Sequence, residues 1–232
     1  MNKPLFLLIE TATNICSCAL AEGENIVAYN ESNIPNAHSR LLSVFIDNLF
    51  HKLSYNYNNL SAVAVSKGPG SYTGLRIGVS TAKGICYALN IPLISIETLQ
   101  ILVERVLTEK NHPNTILPMI DARRMEVYSA IYNSDMQIIK QVSADIITPN
   151  IYNDYLKNAE NILVCGDGAA KCRNILTDKK YIFDETILLS AKYMIKPVIK
   201  KYMNNEFEDI AYFEPYYLKD FIAAPSQVKG LR

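Results

Sequence analysis

The segment Leu5-Phe6-Leu7-Leu8-Ile9-Glu10 is a continuous apolar run that ends in an acid, and it indicates a buried strand. Two more apolar stretches, residues 15–20 and 26–29, come next, with the turn residues Glu22-Gly23-Glu24-Asn25 between them. Short apolar stretches joined by such turns are typical of a β-meander. The N-terminal end of the chain therefore predicts three adjacent strands, of which the first ends in a carboxylate.

The same order of features returns in the second half of the chain. Residues 116–121 are again an apolar run that ends in an acid, Asp121, and strand patterns follow at 125–132 and 136–142. An internal duplication is the simplest explanation. Two copies of a β-β-β-α-β-α unit predict an α/β fold of two ribonuclease-H-like lobes, with mixed sheets flanked by helices, of the type that actin, sugar kinases and heat-shock ATPases share.

Helical periodicity fills the stretches between the strands of the N-terminal half. Residues 35–53, 75–89 and 98–107 each carry apolar side chains at intervals of three and four. The apolar side chains of the first helix cover an arc of about 180°, wider than the roughly 100° that one core needs. Turn residues cluster at 108–114, so we place the boundary between the lobes there, with residues 1–110 in the first and 111–232 in the second.

Composition restricts the class of protein. Of the 232 residues, 49% are hydrophobic and 20% are charged, as is typical of globular proteins. Lys and Arg together number 23, as do Asp and Glu, so no overall positive field favours independent binding of nucleic acid. No apolar run approaches the roughly 20 residues that span a bilayer. We expect a cytoplasmic protein that does not engage a membrane and whose five cysteines are reduced and buried.

The segment GPGSYTGLRIG, residues 68–78, joins a strand to a helix and has two interpretations. A glycine turn at a helix start can present backbone N–H groups to a phosphate, although this spacing is neither GxxxxGK[ST] nor GxGxxG. Alternatively, Gly74, Gly78 and Ala82 form a smooth groove at four-residue intervals that lets another helix approach closely. We favour close helix packing over phosphate binding, because a glycine inside a helix costs about 1 kcal/mol and needs a compensating contact.

Several segments resemble the signatures of the TsaB family, also called YeaZ. They are LIETAT (8–13) with CSCAL (16–20), GPGSYTGLRIG (68–78), DARRMEVY (121–128) and EPYYLK (214–219). They stand in the family's order and cover almost the whole chain. The resemblance implies a two-lobed actin-like fold and a bacterial accessory subunit for making threonylcarbamoyladenosine, the modified adenosine beside the anticodon (position 37) of tRNAs that read codons beginning with A.

The resemblance also implies partners. In that family the paralogue TsaD is the catalytic subunit, which holds the metal and transfers the threonylcarbamoyl group. TsaB pairs with TsaD, the small ATPase TsaE docks across the pair, and TsaC or its relative makes the activated adenylate. We therefore expect a non-catalytic chain with no metal and no intrinsic cofactor. It would meet ATP or ADP only in the complex, contact tRNA only indirectly, and form a homodimer when alone.

The wide apolar arc and the glycine groove together predict the partner interface. In this hypothesis, helices 36–53 and 75–89 form one face of a helical bundle with TsaD, and a free chain covers the same face with a second copy. The predicted interface residues are Arg40, Leu41, Val44, Phe45 and Leu49 on the first helix, and Tyr72, Gly74, Leu75, Gly78, Val79 and Ala82 on the second.

An ATP-dependent phosphotransferase or ATPase of the actin or sugar-kinase type is the alternative. Its nucleotide contacts would be Glu10, Thr11, Gly68, Gly70 and Asp121. The family usually has aspartate at the first of these positions, and the longer glutamate displaces the carboxylate by about 1.5 Å from a metal-orienting position.

Other chemistry-bearing residues have unremarkable interpretations. His38 stands alone where the catalytic paralogue has two metal-binding histidines, and we expect a helix cap or a surface residue. Asp121-Ala122-Arg123-Arg124 predicts a hairpin with a local ion pair, and residues 215–232 predict an extended, solvated terminus. A metallopeptidase is the weakest alternative.

Overall fold

The computed structural model describes residues 3–53, 55–110 and 113–219. Within the first half of these residues, five strands form one mixed sheet in the spatial order β3-β2-β1-β4-β5. β1, β2 and β3 are antiparallel, and β4 and β5 run parallel to β1. The elements are β1 (Leu5–Glu10), β2 (Cys16–Glu22), β3 (Asn25–Ser32), α1 (His38–Leu53), β4 (Leu60–Gly68), α2 (Tyr72–Leu89), β5 (Leu93–Glu97) and α3 (Thr98–Glu109).

The second half repeats the sheet of the first, but residues 147–161 form turns and no helix, so the helix that the duplicated β-β-β-α-β-α unit predicts after its third strand is wrong there. Its sheet has the spatial order β10-β9-β6-β7-β8, so that β6 takes the place of β1 and β9 the place of β4. The elements are β6 (Thr115–Asp121), β7 (Glu126–Asn133), β8 (Ile138–Ile146), β9 (Ile162–Cys165), α4 (Ala169–Cys172), β10 (Tyr181–Asp184) and α5 (Ile195–Met203). The predicted α/β fold, two lobes with mixed sheets flanked by helices, is confirmed.

Several elements begin at residues other than those predicted. α1 starts at His38 rather than at residue 35, because Asn36 has a φ of +57° and cannot continue a right-handed helix. α2 starts at Tyr72 rather than at residue 75, because the Ser71 side chain accepts a hydrogen bond from the N–H of Gly74 and caps it. β8 starts at Ile138 rather than at 136 and extends to Ile146. Neither β10 nor α5 is expected from the apolar pattern of the sequence.

The core is shared by the two halves of the chain. One apolar cluster joins Phe6 and Leu8 of β1 to Ile116 and Ile120 of β6, with Leu102 of α3 between them. α3 contacts β4 and β5 of its own sheet and also β6 and β7 of the other. The chain passes from one sheet to the other between Glu109 and Thr115, inside the predicted boundary region. The division into lobes 1–110 and 111–232 stays a prediction.

Two further observations concern the class of protein. All five cysteines are buried and unpaired, as predicted. Among the helices of the residues that the structure describes, none combines the length and the apolar character that crossing a bilayer requires.

Candidate functional site

The small residues of α2 face the chain's own first strand. A Cβ on Gly74 would clash with the backbone oxygen of Thr11, and a Cβ on Gly78 would clash with Thr11 Oγ1. Ala82 is fully buried. Close packing of these residues is therefore correct, but the predicted groove for a partner helix is wrong. The glycines let α2 lie directly against Thr11, the residue that follows β1. Thr11 precedes Gly78 by 67 residues in the sequence.

Three more predicted interface residues belong to the interior. Leu49 of α1 and Val79 of α2 lie in the cluster between the first sheet and the two helices. Leu75 lies in the core that the two halves share. Each of the three is exposed by 3% or less, so none is available to a partner. The interface prediction is wrong for these three residues as well, because this side of both helices packs against the first sheet.

An apolar surface nevertheless remains on α1 and α2. Val44 is 51% exposed, and Leu41 and Phe45 beside it are half-buried against the core. On α2, Ile77 is half-buried, and a Cβ on Gly84 would have no atom within 4 Å. The two helices contact each other. We call these five residues the α1/α2 face.

Sequence reasoning missed two members of this face, although periodicity could have found them. At 100° per residue, Leu75, Val79 and Ala82 share one side of α2. Ile77 and Gly84 lie on the opposite side, and the structure leaves that side uncovered. Of the other predicted interface residues, Arg40 is exposed, and Tyr72 is half-buried and packs against Tyr217, with ring centroids 4.8 Å apart and the planes tilted by 37°.

The predicted nucleotide contact Glu10 is sealed inside the protein. Its side chain is 0% exposed, and Oε1 accepts a hydrogen bond of 2.6 Å from the N–H of Ala12. Oε2 has no hydrogen-bond partner among the described residues, and neither do Thr11 Oγ1 and Ser66 Oγ. Burial raises the pKa of Glu10 to about 7, and the negative charge of Asp167 adds to the rise. This carboxyl is therefore largely protonated below neutral pH and does not face an open cleft.

The glycine turn after β4 is occupied by the chain itself. Gly68 has a φ of +119°, and a Cβ there would clash with the backbone oxygen of Tyr216. The N–H of Tyr216 donates to the oxygen of Lys67 at 2.6 Å. A Cβ on Gly70 would clash with the oxygen of Ala12. The positions at which a phosphate-binding glycine would approach its ligand are thus filled by backbone.

The start of α2 also uses its own backbone donors. The N–H of Ser71 donates to the oxygen of Ala12 at 2.6 Å, and the N–H of Gly74 donates to Ser71 Oγ at 3.3 Å. Both are groups that the phosphate interpretation of this turn would need. The structure therefore favours the packing interpretation of residues 68–78.

Asp121 occupies the position in β6 that Glu10 has in β1, but its surroundings differ. It is exposed and pairs with Lys171, and its Oδ1 also accepts from the N–H of Arg123 at 2.8 Å. The predicted ion pair within the Asp121–Arg124 turn is wrong, because Arg123 and Arg124 have φ values of +68° and +49° and the nearest cation comes from α4. Glu10, Thr11 and Gly70 lie together, whereas Asp121 lies on the other sheet.

Residues 207–219, which we call the C-terminal segment, tie the two halves together. Glu208 forms a β-bridge with Leu93, and Lys83 Nζ of α2 donates to the oxygen of Phe213 at 2.9 Å. Further on, Lys219 pairs with Glu126 of β7. Residues 215–219 contain no helix or strand, in agreement with the predicted extended terminus. The solvated part of that prediction is wrong for them, because Tyr216 and Tyr217 contact the glycine turn and α2. Residues 220–232 lie outside the described residues.

His38 is the first residue of α1 and is 7% exposed. Its Nε2 lies 3.2 Å from the backbone oxygen of Ile15. The expectation of a surface or capping residue is therefore wrong. The ring joins the start of α1 to the turn before β2, which is a structural role.

The comparisons with known proteins agree with the fold. The family model for TsaD, tRNA N6-adenosine threonylcarbamoyltransferase, matches residues 32–224. The tRNA threonylcarbamoyladenosine biosynthesis protein TsaB of Buchnera aphidicola subsp. Schizaphis graminum is 30% identical over 173 residues, which are 73% of this chain and 81% of that protein. The chain belongs to this family, in its TsaB branch. The resemblance stated from the sequence is confirmed.

Two more TsaB relatives extend the match over almost the whole chain. TsaB of Escherichia coli K12 is 26% identical over 222 residues, which are 94% of this chain and 95% of that protein. YeaZ from Pseudomonas aeruginosa, whose structure is solved, superimposes with a TM-score of 0.79 at 22% identity and covers 93% of this chain and 100% of its own. Membership of the TsaB family connects the chain with the biosynthesis of threonylcarbamoyladenosine in tRNA.

Proposed function

We propose that this TsaB protein is a non-catalytic subunit that binds TsaD through the α1/α2 face. In the assembly, TsaD transfers the threonylcarbamoyl group to the adenosine beside the anticodon, and TsaE docks on the pair. The observation that carries the proposal is the exposure of Val44 between Leu41 and Phe45, on the outer side of two helices whose inner sides pack against the first sheet. An apolar patch of this kind is the usual centre of a protein interface.

The interior of the chain supports the non-catalytic part of the proposal. Glu10 and Thr11 are fully buried, and Tyr216 covers the glycine turn. A nucleotide would have to displace the C-terminal segment before it could reach either group. We therefore propose that the chain has no cofactor of its own and that ATP or ADP binds only within the complex.

The proposal also covers the oligomeric state, the role toward tRNA and the location of the protein. A chain without TsaD covers its apolar face with a second copy, which gives a homodimer. Equal numbers of acidic and basic residues favour an indirect role toward tRNA, with the nucleic acid held by the partner. A protein of tRNA modification works where tRNA is, and we place this one in the cytoplasm, away from the membrane.

The test is a charge placed in the centre of the face. Val44→Asp should weaken binding to purified TsaD by about two orders of magnitude, because the complex would bury an unpaired carboxylate. Ile182→Asp is the matched control, since Ile182 is 46% exposed on β10, in the other sheet. Binding is measured by calorimetry, and tRNA modification by reconstitution with TsaC, TsaD and TsaE.

Two results would contradict the proposal. The first is wild-type binding and modification by Val44→Asp. The second is turnover of Mg-ATP by the isolated chain that disappears in Glu10→Ala, which would support the phosphotransferase alternative instead.

A further inference from the structure

A polar pocket lies on α2, on the flank away from α1. The C-terminal segment forms its other wall, and the pocket has a volume of about 350 Å³. It is lined by Arg76, Ser80 and Lys83 of α2 and by Phe213, Glu214 and Tyr217 of the segment. Its position matters because Ser80, which lines the pocket, and Gly84, which belongs to the α1/α2 face, are both exposed on α2 and lie about one helical turn apart. A partner that covers α2 therefore reaches both.

Within the described residues, the two cations of the pocket have no carboxylate partner. Arg76 and Lys83 are seven residues apart, which is about two helical turns, so both point to the same side of α2. Lys83 Nζ donates to the backbone oxygens of Phe213 and Ala211, and Arg76 Nε donates to the phenol of Tyr217 at 3.2 Å. All three acceptors are neutral. Across residues 3–53, 55–110 and 113–219, neither cation has a carboxylate oxygen within 4.0 Å.

Arg76 is also held in place before any ligand arrives. Its guanidinium lies over the ring of Tyr72, 4.3 Å from the centroid, and the Tyr217 hydroxyl fixes its Nε. The hydrogen bond to Tyr217 raises the pKa of Arg76, which stays charged. A fixed guanidinium presents its remaining N–H groups as a planar fork, the geometry that a carboxylate accepts at two oxygens.

The charge of the pocket indicates which anion it takes. Arg76 and Lys83 contribute two positive charges and Glu214 one negative charge, so the wall carries a net charge of +1. One carboxylate neutralises this wall, whereas a phosphate dianion would leave a net charge of about −1. A cavity of this size accommodates the end of one side chain.

We propose that this pocket receives an acidic side chain of the partner subunit, clamped between Arg76 and Lys83 beside the apolar contact. The inference rests on the proposed function, because it supplies the electrostatic part of the same interface. The apolar face provides burial, and the pocket provides orientation and part of the association rate.

The experiment measures binding to purified TsaD at low and high salt. Arg76→Gln and Lys83→Gln should each weaken binding about tenfold at low salt and make it less salt-dependent, because each removes one charge of the clamp. Arg76→Lys should recover only part of the loss, since it keeps the charge and not the fork. Lys179→Gln is the matched control, because Lys179 is exposed in the other half of the chain and has no ion pair within the described residues.

A variant that should tighten binding distinguishes a lost charge from a misfolded protein. Glu214→Gln should tighten binding about threefold at low salt, because it deletes the charge that opposes the incoming carboxylate. A misfolded variant cannot bind more tightly. The thermal midpoint of each variant is recorded beside its affinity.

The outcomes separate the two proposals. If Val44→Asp abolishes binding while the Arg76, Lys83 and Glu214 variants all bind as wild type does, the pocket assignment is overturned and the proposed function stands. If the unmodified chain does not bind TsaD, both are overturned. If inorganic phosphate or ATP at constant ionic strength strengthens TsaD binding by the wild type but not by Lys83→Gln, the occupant is a phosphate, and the assignment to a carboxylate is wrong.

Discussion

Glu10 and Asp145 are both buried carboxyls on strands, one in each half of the chain, and they are compensated in opposite ways. Asp145 accepts hydrogen bonds from Lys140 at 2.8 Å, Ser143 at 2.6 Å and Tyr152 at 3.2 Å, and another from Ser129. Burial alone would raise its pKa, but Lys140 and the two serines lower that pKa below its ordinary value.

Glu10 accepts one backbone hydrogen bond, and its second oxygen has no partner within the described part of the chain. Burial raises its pKa to about 7, because the hydrogen bonds that it accepts do not offset the lost hydration. Burial is thus common to both groups, and the number of donors decides which protonation state the fold stabilises. The half of the chain that we propose to bind the partner therefore contains a buried acid, Glu10, whose protonated form is favoured. The other half contains a buried ion pair between Asp145 and Lys140.

The largest expected effect comes from breaking the buried pair. Asp145→Asn should destabilise the protein by about 3–5 kcal/mol, because it leaves Lys140 charged and without its counter-ion in the interior. Urea denaturation at neutral pH measures the loss. Asp154→Asn is the matched control, since that side chain is 91% exposed and pairs only with Lys157 at 3.4 Å. Equal stability of the two variants would show that the network around Asp145 carries no net free energy.

The second prediction concerns the pH dependence of stability, which should have opposite directions for Glu10 and Asp145. The folded pKa of Glu10, about 7, lies above the ordinary glutamate value of 4.5, so folding favours the protonated acid. The stability that this acid contributes is complete below about pH 4.5 and is lost as the pH rises through 7, a change of about 3 kcal/mol.

Glu10→Gln should remove this dependence. Glutamine mimics the protonated acid, so the variant should match the wild type near pH 5 and exceed its free energy of unfolding at pH 8. Asp145 works the other way, because its lowered pKa makes its contribution disappear as the pH falls. Parallel stability curves for wild type and Glu10→Gln from pH 5 to 8 would refute the buried, protonated state of Glu10.

The smallest effect is expected at Asp121, which matches Glu10 in the duplicated plan. Its pair with Lys171 is partly exposed, with 49% of the Asp121 side chain accessible. Asp121→Asn should therefore cost about 0.5 kcal/mol, within the usual range of surface pairs, and the cost should shrink in high salt. A loss above about 2 kcal/mol would mean that Asp121 resembles Asp145 rather than a surface acid.

Local patterns in the sequence were sufficient for most of the fold. The apolar runs that end at Glu10 and Asp121 predict β1 and β6, and the repeated order of elements predicts two related sheets. These signals are local, since they need only side-chain hydrophobicity and turn residues. Helix boundaries were less predictable. α1 begins only after Asn36 because the backbone of that residue has a positive φ, which the apolar pattern does not reveal.

The candidate site depended on contacts that the sequence does not encode locally. The small spacing of Gly74 and Gly78 correctly indicates close packing, but the neighbour is Thr11, which is distant in sequence. In the same way, nothing around Gly68 indicates that Tyr216 covers it. Long-range neighbours of this kind decide whether a glycine turn is open to a ligand, and only the folded chain identifies them.

The C-terminal segment also constrains the order in which the molecule can be completed during synthesis. One of its residues bridges to Leu93, and another donates a hydrogen bond to Lys67, yet both leave the ribosome after the whole second sheet. The first-made half is thus completed after the second, and one flank of α2 stays uncovered until residues 207–219 have been synthesised. A nascent chain can therefore present the Arg76 pocket only once residues 213–217 have been added.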